Sequence, residues 1–200
     1  MTTATKAKRA ITRADILDPA AYAKDRREYK KRVTELKRDR RIEVGPFVTF
    51  YFESYDTMWH QIHEMLYIEK GGEQQIADEL EAYNPLIPQG EELIATVMIE
   101  IEDATQRERA LARLGGIEDH MFLTVGGERV SGIADPTREN TSPEGKASSV
   151  QFLRFPLTAR QKTALRTPGV QIVVGIDHLN YGHMAIMPEP VRAALAGDLS

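Results

Sequence analysis

The chain has 200 residues, 42% of them hydrophobic, and a formal net charge of −4 at neutral pH. That apolar content is enough for one core of ordinary size. The absence of cysteine excludes disulfides, thiolate nucleophiles, Cys-ligated zinc and thiolate-held iron–sulfur clusters. No apolar run approaches the ~18 to 20 residues of a membrane-spanning helix, and no apolar signal region follows the basic N-terminus. We therefore expect a cytoplasmic protein without a membrane partner.

Charge is distributed unevenly along the chain. Residues 1–41 carry 14 Lys or Arg and 6 Asp or Glu, a balance of +8, whereas the other 159 residues carry 12 against 24, a balance of −12. This division predicts a basic helical arm at 1–41 and a single α+β domain at 42–200. The long helix of the arm is expected to begin at Asp18-Pro19, which supplies an N-cap and a proline in the first turn.

The basic helix has two interpretations. In the simpler one it is a solvated amphipathic helix that docks on the body, or on a sister subunit of a homo-oligomer, through its apolar residues: Tyr22, Tyr29, Val33 and Leu36. In the other, its charges steer an acidic protein partner toward it. A nucleic-acid partner is not expected, because no recognition motif or interleaved aromatic pattern accompanies the basic stripe.

The elements that follow alternate between helices and short strands. A strand is predicted at 42–53, then a helix capped by Asp56 that ends at Gly71-Gly72, and then a second helix at 73–83, which completes a helical pair. A one-sided apolar alternation predicts a strand at 93–101, and Gly126-Gly127 predicts a hairpin.

Toward the C-terminus, strands are predicted at 150–155 and 170–176 with short helices between and after them, and the Pro-, Gly- and Ser-rich segment 134–149 is expected to be a mobile loop. Hairpins without a regular βα alternation favour an α+β fold with a mainly antiparallel sheet, the helical pair and the long basic N-terminal helix.

The first candidate site lies on the helix of the pair that contains His60, His63 and Glu64. These side chains lie one turn apart on the face opposite Met58, Ile62 and Leu66, so we expect them to point away from the local core and to be able to converge on one ion. Two imidazoles and a carboxylate suit Fe, Mn or Zn. The spacing differs from the His-Glu-x-x-His of metalloproteases and from the Glu-x-x-His of di-iron bundles. The alternative is an ordinary polar face, buried against the 73–83 helix.

The second candidate group is Asp177, His178 and Tyr181, on a glycine-containing loop after a predicted strand. Asp177 could fix the tautomer of His178, as carboxylates do for metal-bound histidine, or His178 could simply hydrogen-bond a turn. If the two groups met in space, His60, Glu64, His178 and Tyr181 would form a mononuclear metal site.

Five segments together resemble the bacterial domain-of-unknown-function 3501 family: RADI at 13–16, RRIEVGP at 40–46, QIHEM at 61–65, EAYNPLIP at 81–88 and GIDH at 175–178. Genes of that family often lie beside genes for rubrerythrin-like and iron–sulfur, heterodisulfide-reductase-like proteins. The resemblance therefore implies a redox or peroxide-stress setting. It carries no catalytic residues over to this chain.

Three functional classes are consistent with these observations. The first is an accessory or interaction protein of a bacterial redox pathway, which binds a redox metalloprotein partner and has no iron–sulfur cluster of its own. The second is a mononuclear metal-binding protein or metalloenzyme that uses His60, His63 and Glu64, with His178 as a further ligand. The third is a small-molecule sensor or binding domain with a pocket between the helical pair and the sheet.

Overall fold

The computed structural model describes residues 8–200, so the first seven residues of the predicted arm lie outside the described residues. Within this range the chain forms nine strands and six α-helices. The strands are β1 Arg41–Val44, β2 Val48–Phe52, β3 Glu92–Ile99, β4 Met121–Val125, β5 Glu128–Ser131, β6 Ile133–Ala134, β7 Val150–Pro156, β8 Ile172–His178 and β9 Tyr181–Ile186. The helices are α1 Pro19–Arg38, α2 Tyr55–Glu69, α3 Gly72–Tyr83, α4 Ala104–Leu111, α5 Ala159–Arg166 and α6 Glu189–Ala196.

The strands form two sheets, with orders β1-β2-β3-β7-β6 and β5-β4-β8-β9 in the described chain, and their pairings are antiparallel. The α+β prediction is confirmed, with two sheets where one was expected. Strand β3 shows how the layers are arranged. Its residues Leu93 and Val97 belong to the main core, which they share with the second sheet. Ile94, on the other face, belongs to a smaller cluster with Ile62 of α2, because successive side chains of a strand point to opposite faces.

Two predictions of strand extent were wrong. The stretch 42–53 is a hairpin of β1 and β2, with Gly45 at φ +74° in the turn, a conformation that costs glycine little. The predicted loop after β8 is a second hairpin, in which β9 is the edge strand. Strand β9 escaped prediction because Gly182, His183 and Met184 are consecutive exposed residues and give no two-residue apolar alternation.

Helix caps explain the helical boundaries. Asp18 caps α1 as predicted, accepting a hydrogen bond from the Ala20 N–H at 2.9 Å. The cap of α2 is Ser54 rather than Asp56: its hydroxyl accepts from the Thr57 N–H at 3.3 Å. Serine and aspartate are both strong N-cap residues. Because Ser54 and Asp56 lie two residues apart, the sequence did not determine at which of them α2 begins.

Segment 135–149 contains no helix or strand within the described chain, apart from an isolated bridge between Thr141 and Ala147. Ala147 is buried in the main core. The mobility of this segment stays a prediction.

Helix α1 docks on the rest of the protein through Tyr22 and Val33, which are buried as expected. Its main helical neighbour is α2, which lies between α1 and the first sheet. The division into an arm and a body stays a prediction. Within residues 8–200, no helix is long and apolar enough to cross a membrane.

Arg40 joins the end of α1 to the core. Its buried guanidinium donates to the carbonyl oxygens of Phe52 and Glu53, both at 3.0 Å, and to the carboxylate of Asp198. Burial raises the pKa of the Asp198 carboxyl, and the Arg40 charge acts against this effect. The contact fixes the C-terminus of the chain against β2.

We expect Arg40→Met to lower the free energy of unfolding by about 3 to 5 kcal/mol, because it leaves a buried carboxylate and two carbonyl oxygens without their donor. Arg41→Gln is the matched control, since Arg41 is exposed, and it should change stability by less than about 0.5 kcal/mol. Urea denaturation of the three proteins measures both values. Equal losses in the two variants would contradict the role of Arg40.

Candidate functional site

Side chains of α1 and α2 meet along one line, which we call the α1–α2 seam: Tyr22, Arg26 and Tyr29 on α1, and Trp59, His63 and Glu64 on α2. The rings of Tyr22 and Tyr29 stack with centroids 5.3 Å apart. Trp59 meets Tyr29 edge-on at 5.2 Å and lies 3.9 Å from the His63 ring. The three α1 residues are spaced i, i+4 and i+7, so they share one face of the helix.

His63 is only 2% exposed. Its Nε2 accepts a hydrogen bond from the Leu17 N–H at 3.0 Å, and its Nδ1 donates to the Trp59 carbonyl oxygen at 2.7 Å. This pair of partners requires a neutral imidazole with its proton on Nδ1. Burial lowers the pKa of His63, which favours the same neutral form.

Glu64 is the anionic member of the seam. One carboxylate oxygen accepts from the Tyr22 hydroxyl at 2.8 Å and from Arg26 Nε at 2.9 Å, and the other accepts from Arg26 Nη2 at 2.8 Å. This two-pronged arginine pair lowers the pKa of Glu64. Burial and the neighbouring carboxylate raise the pKa of Tyr22, so the phenol keeps its proton and donates it.

His60 differs from its neighbours in the seam. Its Nε2 is shielded from solvent and has no hydrogen-bond partner within residues 8–200. Burial lowers the pKa of His60; nearby Glu64 opposes this, and the cations of Lys37 and Lys30 add to it. His60 is therefore neutral at neutral pH and has an unused hydrogen-bonding atom.

His63 lies on the side of α2 away from the sheet, as expected, but it is buried there rather than open to a ligand. The side chain does leave the face that contacts the sheet, but α1 and Leu17 cover it. The layer that covers this face is α1 and the segment before it, rather than the 73–83 helix. Sequence reasoning missed the partners of Glu64, although Arg26 lies four residues after Tyr22 on the docking stripe of α1, which is a signal that could have found it.

The second candidate group is divided between two faces of β8. Asp177 contacts His120 Nδ1 at 3.1 Å and Arg129 at 2.8 Å, and Arg129 lowers the pKa of its carboxyl. His178 is buried and accepts a hydrogen bond at Nδ1 from the Asn180 N–H at 3.2 Å. Asp177 therefore does not set the tautomer of His178. Neighbours in a strand point to opposite faces.

Tyr181 also serves the fold. Its hydroxyl donates to the Val44 carbonyl oxygen at 2.7 Å and accepts from the Phe47 N–H at 3.3 Å, which ties the β8–β9 hairpin to the β1–β2 hairpin.

The two candidate groups are not joined in the described part of the chain by any hydrogen bond or ring contact. Among residues 8–200, no three His, Asp or Glu side chains are grouped so that they could hold a metal ion. Binding of Fe, Mn or Zn by His60, His63, Glu64 and His178 stays a prediction. It would require the hydrogen bonds of His63 and the ion pair of Glu64 to break.

Two packed antiparallel sheets, with an α1–α2 layer held by one neutral histidine and one ionised glutamate, define an α+β protein in which the seam is a structural anchor. The model of the family described as protein of unknown function (DUF3501) matches residues 10–199. The chain belongs to this family, as the sequence resemblance predicted.

The comparisons also found a crystal structure of a novel protein of unknown function from Burkholderia pseudomallei K96243, which is 43% identical to this chain. The match covers 96% of this chain and 100% of the other, with a TM-score of 0.88. No curated protein matches the chain.

Glu64→Ala should lower the free energy of unfolding by about 2 kcal/mol, because it removes the acceptor of three hydrogen bonds, two of them from a cation. The matched control is Glu73→Ala, which breaks an ion pair with Arg13 whose side chains are 76% and 56% exposed; such pairs contribute little. Urea denaturation at neutral pH measures the difference. A loss in the control as large as that in Glu64→Ala would contradict the anchoring role.

Stability should also fall as the pH drops below about 6.5, the pKa of a histidine in the unfolded chain. His63 has a lowered pKa in the folded state, so the unfolded state binds the proton first, and stability is lost from that pH down to the folded pKa. The slope is at most about 1.4 kcal/mol per pH unit for one histidine. In His63→Gln the slope measured by denaturation between about pH 7.5 and 5.5 should be smaller. Equal slopes would show that His63 does not cause the loss.

Proposed function

We propose that this protein is an accessory protein of a bacterial redox or peroxide-stress pathway that binds an acidic protein partner through α1. The observation that carries the proposal is a line of exposed cations, which we call the cationic stripe: Lys24, Arg27, Lys31 and Arg38. At about 100° per residue these four side chains fall within roughly 60° of one another, on the side of α1 opposite Tyr22 and Val33.

The stripe has the size and charge of a docking surface. It extends over 15 residues, about 21 Å along the helix. Within residues 8–200, the ion pair made by α1 joins Arg26 to Glu64, in the seam, so the charges of the stripe are not consumed by neighbours in that range. Glu28 and Glu35 are also exposed and lie beside the stripe, so this side of α1 carries four cations against two carboxylates. An excess of positive charge speeds association with an acidic partner and selects against basic proteins.

The redox setting rests on the gene neighbours that the family resemblance implies. The chain has no cysteine and therefore no thiolates for an iron–sulfur cluster. Electrons would travel on the cofactors of the partner, and this protein would supply the contact. This division of roles also explains why the ionisable groups of the seam are used in hydrogen bonds within the fold.

The experiment compares wild type with the variant Lys24→Glu/Arg27→Glu/Lys31→Glu. Binding to purified rubrerythrin-like and heterodisulfide-reductase-like proteins is measured by calorimetry at low and high salt. We expect wild type to bind one of them with an affinity that decreases with salt, and the variant to bind it roughly tenfold more weakly or worse. The control Arg109→Glu/Arg113→Glu/Arg166→Glu makes the same change in net charge at exposed positions outside α1 and should keep the wild-type affinity.

Three outcomes would contradict the proposal. One is equal weakening by both variants, which would indicate an effect of net charge alone. Another is wild-type binding to duplex DNA with a similar dependence on salt and stripe. The third is a wild-type homodimer, seen by light scattering, that the stripe variant dissociates, because the stripe would then contact a second copy of this chain.

A further inference from the structure

A cleft of about 310 Å³ lies between α1 and α2 and is bordered by Lys8, Asp15 and Leu17 of the segment before α1. The rings of Tyr29, Tyr55 and Trp59 line it. Its volume is at the lower end of the range of small-molecule sites, and aromatic walls with a few polar groups are typical of them. The cleft is separate from the space between the helical pair and the sheet, where the sequence predicted a pocket.

The polar groups at one side of the cleft already have partners. Trp59 Nε1 donates to the Asp15 carbonyl oxygen at 2.9 Å, and the Asp15 carboxylate accepts from Lys8 at 2.7 Å and from the Thr12 N–H at 2.9 Å. The charge of Asp15 is thus neutralised and its oxygens are occupied. On this side of the cleft a ligand therefore contacts the faces and edges of the aromatic rings.

The other side of the cleft offers unused polar groups. His60 lines it, and its Nε2 has no partner within residues 8–200 but is shielded from solvent, so the imidazole ring must turn for a ligand to reach this atom. A shielded polar atom without a partner is costly, so a ligand atom that reaches it gains more than a surface hydrogen bond. Arg32 also lines the cleft, and within the same residues it makes no ion pair or side-chain hydrogen bond.

The balance of charge around these groups favours an anion. Lys37 and Lys30, which lie outside the lining, act on His60, and the opposing charge of Glu64 is paired with Arg26. The opposing charge in the lining is Asp56, since Asp15 is paired with Lys8. The charged lining residues are Lys8, Asp15, Arg32 and Asp56. Since Lys8 is paired with Asp15, Arg32 is the lining cation that remains for a negatively charged ligand.

We propose that this cleft binds a small planar aromatic carboxylate. Its ring lies against Tyr29 and Trp59, and its carboxylate accepts hydrogen bonds from Arg32 and His60. Offset and edge-on packing of aromatic rings adds to the gain from burying their area, and a planar guanidinium matches a carboxylate. The site is independent of the cationic stripe, which lies on the opposite side of α1.

The test uses Trp59, the only tryptophan of the chain, as a fluorescent reporter within the cleft. Benzoate, 4-hydroxybenzoate and 1-naphthoate are titrated into the full-length protein, beside neutral benzyl alcohol and cationic benzyltrimethylammonium, with calorimetry as a second readout. We expect saturable quenching by at least one carboxylate, which should bind roughly tenfold more tightly than its neutral and cationic counterparts.

Variants assign the binding to the cleft. Arg32→Gln should weaken the carboxylate about fivefold, the effect of one exposed charge pair, and should leave benzyl alcohol unaffected. His60→Phe keeps an aromatic ring and removes the unused nitrogen, and it should weaken the carboxylate as well. Arg27→Gln is the matched control, since it removes the same charge from α1 at a residue of the cationic stripe, and it should bind like wild type.

Thermal unfolding of each variant without ligand shows whether it is folded. The proposal is overturned if no carboxylate saturates the Trp59 signal, if benzyltrimethylammonium binds as well as the carboxylates, or if Arg27→Gln and Arg32→Gln weaken binding equally.

Discussion

The rest of the helical layer depends on the burial of two adjacent side chains of α2 in opposite charge states. His63 must be neutral because one of its nitrogens accepts from Leu17 and the other donates to Trp59. Glu64 must be ionised because its oxygens accept from Arg26 and Tyr22. Together they hold the chain just before α1 and within its first two turns. Of the 20 residues of α1, Tyr22 and Val33 are buried and Tyr29 and Leu36 are half-buried. This apolar area is small for a long charged helix, and the hydrogen bonds add to it.

This anchor is effective because α2 is buried on two sides. Ile62 and Leu66 belong to the cluster shared with Ile94 of the first sheet, while His63 and Glu64 face α1. The sheet therefore positions α2, and α2 positions α1. Hydrogen bonds determine how α1 packs on α2, because a polar helix face can be buried only if its polar groups are hydrogen-bonded. The positions of the cationic stripe and of the aromatic cleft both depend on this packing, because each of them includes one face of α1.

Patterns within a few residues of sequence predicted the features that depend on interactions between neighbouring residues. The alternation of β3, the Asp18 cap and two of the four docking residues of α1, Tyr22 and Val33, were correct, because each depends on neighbours a few residues away. Strand β9 was missed because an edge strand exposed on consecutive residues has no apolar period. At the site, spacing identified His63 and Glu64 but not their role. Their partners lie 46 and 38 residues away in the sequence, so only the docking of α1 reveals that their bonding capacity is already used. Of the two interpretations of His178, the hydrogen bond within a turn is the one observed, because adjacent residues of a strand point to opposite faces and Asp177 lies on the other one.

The same anchors determine how the two surfaces of α1 relate to each other. Coupling between a ligand in the cleft and a partner on the stripe requires an element with two positions, and each molecule must prefer one of them. Helix α1 is fixed near its start by Leu17, Tyr22 and Arg26. Just beyond its end, the Arg40 guanidinium bonds two carbonyl oxygens at the end of β2 and the carboxylate of Asp198. A helix held at both ends has no second position of similar energy. Occupancy of the cleft would then change the local packing of Tyr29 and Trp59 without moving the cations on the far side. We therefore expect the two proposed surfaces of α1 to be energetically independent, so that each can be studied with the other left intact.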